Sequence, residues 1–150
     1  MSQDNGIGWA SAVVTGCITG IALSAEWLPG RVASHFGASG LANGFTAREV
    51  YLALMIGLVA GLPALTALWM SRVMRRQEGV DETAEVLTAH AAWLAAGVAM
   101  LVLGIHLLLI RANHFSPAHL ELLPFLSLMT AFGIGLIGWN ATLQRRFQRS

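Results

Sequence analysis

Four long apolar stretches constrain this chain more than any other feature. About 20 apolar residues cross the hydrocarbon of a bilayer as a helix, and residues 7–28, 50–70, 89–110 and 122–143 each reach that length. The first holds one carboxylate, Glu26, and the third holds His90 and His106, while the second and fourth carry no charge. Composition excludes the soluble alternative. A small soluble domain exposes much of its surface and is about 25% charged, whereas only 11% of these 150 residues are charged and 55% are hydrophobic. The expected fold is all-α, a single four-helix bundle embedded in a membrane. Pro63 and Pro124 fall inside the second and fourth stretches, where membrane helices tolerate proline and commonly kink.

Four spans place both termini and residues 71–88 on one side. That side carries six arginines (Arg72, Arg75, Arg76, Arg145, Arg146 and Arg149), against three on the other (Arg31, Arg48 and Arg111). The positive-inside rule then puts both termini in the cytoplasm and residues 28–49 outside. The first five residues hold no basic group, so the first stretch reads as a retained helix rather than a signal peptide. Trp9, Trp27, Trp69 and Trp139 lie near span ends, as an interfacial aromatic belt requires. In the cytoplasmic connector, Asp81 to Glu85 are expected to open the third helix, since acidic groups favour a helix N-terminus. Net charge is +1, too little to attract nucleic acid, and the single Cys17 cannot form an internal disulfide.

Little hydrophobic force acts between helices in lipid, so close packing of small residues matters. Candidates are Gly16 and Gly20, Gly57 and Gly61, then Ala91, Ala95 and Ala99, and finally Gly133, Gly135 and Gly138. These faces can close one bundle, and some can meet a second copy as a homo-oligomer.

Residues 28–49 read LPGRVASHFGASGLANGFTARE. Gly37, Gly40 and the Asn43-Gly44 pair signal turns, and a loop this long without clear periodicity is commonly functional. The run Leu28-Pro29-x-Arg31-Val32-Ala33-x-His35-Phe36, followed by Gly40, Asn43-Gly44-Phe45 and Arg48, resembles the bacterial membrane module called domain of unknown function 1648. That module also forms the N-terminal part of SdpI-type toxin-immunity proteins. The resemblance covers about Leu28 to Leu68. Ala33-Ser34, Gly37 and Phe45 stand where the module usually has Pro-Thr, Asn and Trp. It implies a small multi-pass protein of a bacterial inner membrane and carries no catalytic residues.

Ionisable groups in or near a membrane are costly and therefore the natural functional candidates. Glu26, His35, His106 and Asn113 all belong to the external half, and Asn113 follows His106 by two helical turns. Together with Asn43 they form the candidate ligand site. Imidazole and carboxylate suit a divalent metal on His35, His106 and Glu26, or a proton relay. The alternative is structural: these groups hydrogen-bond the loop backbone and pin it over the bundle. His90, sixteen residues before His106, belongs to the opposite end as an interfacial side chain. Ser116 and Pro117 read as the cap and first residue of the fourth helix. Zinc-protease, phosphate-loop and nucleophile-elbow motifs are absent, so binding rather than enzymatic catalysis is expected. Its partners are the lipid bilayer and a peptide or membrane protein; the alternatives are an ion- or solute-handling subunit and a structural subunit of a larger complex.

Overall fold

The computed structural model describes residues 3–76 and 81–147. Glu78 of the connector and Arg149 of the C-terminal cluster lie outside the described residues. The chain forms α1 (Gln3–Leu23), a 3-10 turn (Ser24–Trp27), β1 (Arg31–Phe36), β2 (Ala42–Ala47), α2 (Arg48–Arg76), α3 (Asp81–Asn113) and α4 (Leu122–Phe147). All four helices are long and apolar enough to cross a membrane. With 29 and 33 residues, α2 and α3 measure roughly 45–50 Å at 1.5 Å per residue, beyond the ~30 Å hydrocarbon core. Most of residues 71–88 therefore continue helices, and α3 opens at Asp81 as its acidic first turn suggests.

Apolarity is arranged inside out. On α2, Leu54, Leu58, Leu62 and Leu65 form a four-residue stripe that faces outward, while Tyr51 and Val59 point in. The outer surface, rather than the protein interior, receives these leucines. The core is built by α1, α2 and α3: Cys17 and Ile21 meet Val59, Ala99 and Val102. At one end Ala10 of α1 packs on Ala92 and Ala96 of α3, with Trp9 and Trp93 rings 4.5 Å apart. At the other end Leu28, Val32, Tyr51, Leu109 and Ile110 close a second cluster beneath the β-strands.

Several expectations need correcting. First, the fold is not purely helical: residues 28–49 contain an antiparallel hairpin, with Arg31 opposite Ala47 and Ala33 opposite Phe45. Second, α4 is not an equal member of a bundle, because it packs chiefly on α3 and no residue of its span is buried. Third, most of the expected glycine faces are open. A Cβ added at Gly16, Gly57, Gly61, Gly133, Gly135 or Gly138 would meet nothing within 4 Å. Of the expected set, Ala99 lies in the core and Gly20 faces Leu103; close helix approach otherwise uses Ala92 and Ala96, together with Gly97 and Gly104 of α3, against Phe132 and Leu128 of α4. Ser116-Pro117 precedes α4 by a short loop and does not cap it. Pro124 is the third residue of α4, where its missing N–H is one the helix leaves unpaired, so it causes no kink.

Gly40 turns the hairpin with φ +82°, and a Cβ there would sit 2.5 Å from the Leu120 carbonyl oxygen and 2.9 Å from the His119 ring. Only glycine accepts both demands without strain. Gly40→Ala should therefore cost about 1–3 kcal/mol, read as a lower unfolding midpoint in detergent. An unchanged midpoint would contradict this placement of the turn against the α3–α4 loop.

Candidate functional site

The hairpin end of the molecule has a buried polar layer with the hairpin above it. In the lower layer three helical elements converge on His106, which is 0% exposed. Its Nε2 lies 2.7 Å from Ser24 Oγ and its Nδ1 lies 2.9 Å from the Tyr51 hydroxyl. The Ser24 hydroxyl donates to the Ile21 carbonyl at 2.7 Å. Because that proton is committed, Ser24 must accept from Nε2–H, which leaves Nδ1 to accept from Tyr51 O–H. The chain Tyr51 → His106 → Ser24 → Ile21 thus satisfies a neutral imidazole on both nitrogens. The Tyr51 ring also stacks beside His106, with centroids 5.6 Å apart. Polar groups removed from water require such partners.

Above it, Asn113 ties α3 to β1. Its Oδ1 accepts from Ala33 N–H at 2.7 Å, and its Nδ2 donates to the Ala33 carbonyl at 3.1 Å and the Leu109 carbonyl at 2.8 Å. Flipping the carboxamide would oppose oxygen to two carbonyls, so one orientation is permitted. The side chain fills the role of a neighbouring strand. Val32 and Ala33 are both fully buried beneath this contact.

The α3–α4 loop holds the tip. Ala42 N–H donates to the Ala118 carbonyl at 3.1 Å and Leu120 N–H to the Gly40 carbonyl at 2.8 Å, an antiparallel bridge centred on Leu41 and His119. Inside the hairpin, Gly37 N–H donates to the Leu41 carbonyl at 2.9 Å. Arg111 and Glu121 join the ends of α3 and α4, with Nε 2.5 Å from Oε2 and Nη2 3.1 Å from Oε1.

The five candidate residues share this end but do not form one site. His35 and Asn43 hydrogen-bond each other across the exposed hairpin face. Glu26 is exposed on the 3-10 turn. His106 lies in the buried layer with both nitrogens engaged, and Asn113 serves the β1 backbone. Among the described residues, no three His, Cys, Asp or Glu side chains gather as a metal set, so His35, His106 and Glu26 are not assembled around an ion. His90 is buried near the opposite end of the span, its ring 6.2 Å from that of Trp139 on α4. His114, just past α3, binds the Ile110 carbonyl of that helix. Ser24 and Tyr51 were not among the sequence candidates. The signal existed for Tyr51: it is the chain's one tyrosine, it sits within an apolar stretch, and a buried phenol needs an acceptor.

No protein-family model matches the chain, and neither a curated protein nor a solved structure shows significant similarity to it.

The two layers predict separable defects. Tyr51→Phe should cost about 0.6–1.7 kcal/mol, the range for hydrogen bonds between membrane helices, with the hairpin still docked. Asn113→Ala should cost about 1–3 kcal/mol by stranding the Ala33 backbone groups, and should open residues 31–47 to proteolysis while the helices stay intact. Equal proteolysis of the two variants would refute the assignment of separate roles.

Proposed function

We propose that this chain is a multi-pass protein of a bacterial cytoplasmic membrane that works by binding, with residues 28–49 as its recognition surface on the outer face. The excess of arginine at the end opposite the hairpin supports the orientation. One observation carries the reading: the segment is an ordered hairpin, anchored by Asn113 on one strand and by residues 118–120 at its tip. Such anchoring lowers the ordering cost of binding a partner.

The presented surface combines Leu41 and Phe45, 46% and 51% exposed, with the polar His35–Asn43 pair. Apolar anchors amid polar groups suit a peptide or a membrane protein at the interface. The resemblance of the Leu28–Leu68 run to toxin-immunity modules supports a membrane-active peptide as the partner. Catalysis is not favoured. Ser24 and His106 lie at the distance of a nucleophile and its base, but the Ser24 proton points to Ile21 and both side chains are enclosed.

The test is done in cells. Deletion of the gene should raise sensitivity to membrane-active peptides, and Phe45→Ala should reproduce that defect with normal membrane insertion. Unchanged sensitivity after deletion would remove this reading.

A further inference from the structure

The hydrogen-bond phase of the hairpin is fixed from both of its strands. Arg48 N–H donates to the Gly30 carbonyl at 3.1 Å, which makes residues 30 and 48 a hydrogen-bonded pair. In an antiparallel ladder such pairs alternate with non-bonded ones whose polar groups point away. Arg31–Ala47 and Ala33–Phe45 are therefore the outward-pointing pairs. Asn113 confirms this from β1, since it takes both the N–H and the carbonyl of Ala33. Phe45 must then aim its N–H and carbonyl, and Ala47 its N–H, at the open edge of β2.

The same edge is occupied at its other end. Ala42 N–H points outward to Ala118, and the register irregularity between His35 and Phe36 brings Ala42 into phase with Phe45. Residues 118–120 thus begin a third strand, antiparallel to β2, that stops before Phe45. Among the described residues no hydrogen bond engages the outward groups of Phe45 or the Ala47 N–H. β2 reads Ala-Asn-Gly-Phe-Thr-Ala, without the charge or proline that blunts an exposed edge. It also enters the membrane span that starts at Arg48, where water becomes scarce and unmet backbone groups grow costly.

We propose that this edge takes up an extended peptide segment of a partner protein, added antiparallel to residues 45–47 and continuing the line begun by residues 118–120. Main-chain hydrogen bonds to Phe45 and Ala47 hold the segment, and alternate side chains lie along the exposed Phe45. This rests on the binding function above and specifies how the partner is held.

The probe is an acetylated, amidated hexapeptide of alternating threonine and valine, added to the full chain in lipid nanodiscs. Binding is followed by fluorescence anisotropy and by amide exchange. The expected result is slowed exchange at Phe45 and Ala47, lost when the peptide's alternate amides are N-methylated on its bonding edge. Ala47→Pro removes only an outward N–H and suits an edge strand. It should weaken peptide binding at least about tenfold, the worth of one main-chain hydrogen bond, with the unfolding midpoint kept. Binding that ignores both N-methylation and Ala47→Pro, or no protection up to millimolar peptide, overturns the proposal. So does protection at these amides that depends on protein concentration or lipid headgroup instead of peptide. A cellular defect from Phe45→Ala with none from Ala47→Pro would keep the hairpin as a binding surface and eliminate strand addition.

Discussion

Every polar group that the bilayer or the packed interior shuts off from water must find its partner within the chain, and this requirement shapes the hairpin end of the molecule. Leaving such a group unmet costs several kcal/mol. A helix settles its own backbone, but imidazole, phenol and strand edges cannot do so alone. His106 is met by Ser24 from the first helix and Tyr51 from the second. Asn113, two turns along the same face, meets the backbone of Ala33. α3 is thus the organising element: it carries the alanine face for α1, the glycines for α4, and both polar anchors beneath the hairpin.

The division of labour follows from where each interaction is strong. In lipid, apolar surface gives little reason for helices to associate, and the large leucines of α2 face outward accordingly. Small residues allow close approach, and the buried hydrogen bonds give the contacts direction. The hairpin turns Val32 toward the helices, where it seals the Leu28, Tyr51, Leu109 and Ile110 cluster. Its upper face is left to polar pairs and exposed apolar side chains. α4 contributes its entry loop, whose residues 118–120 hold the hairpin tip.

The helices were legible in the sequence because hydrophobic length is a one-dimensional property. The acidic run from Asp81 marked the start of α3 correctly, but Ser71–Arg76 look like a loop to a hydropathy reading although they continue α2. The hairpin was hidden by its own punctuation. Gly37, Gly40 and Asn43-Gly44 all read as turns; the reversal is made by Gly37 to Gly40, whereas Asn43 and Gly44 lie within β2. Two register irregularities break the alternation that would have announced strands. Among the candidate residues, helical spacing correctly put His106 and Asn113 on one face and His90 at the far end. Their grouping with Glu26 and His35 failed because the hairpin adds a layer, so residues at one end occupy different depths. Ser24 was unremarkable beside the apolar residues around it, since a serine inside a helix is as often bonded to its own backbone as to a partner.

Residues 31–47 form a hairpin clamped to the bundle by Asn113 and residues 118–120. Amide exchange of the unmodified chain in lipid nanodiscs tests this clamp most directly. Slow exchange is expected at Ala33, Ala42 and Leu120, whose N–H groups reach Asn113, Ala118 and Gly40, beside fast exchange at exposed Ala38 and Ser39 in the tip. Uniformly fast exchange from Arg31 to Ala47 would show an unstructured loop and contradict it.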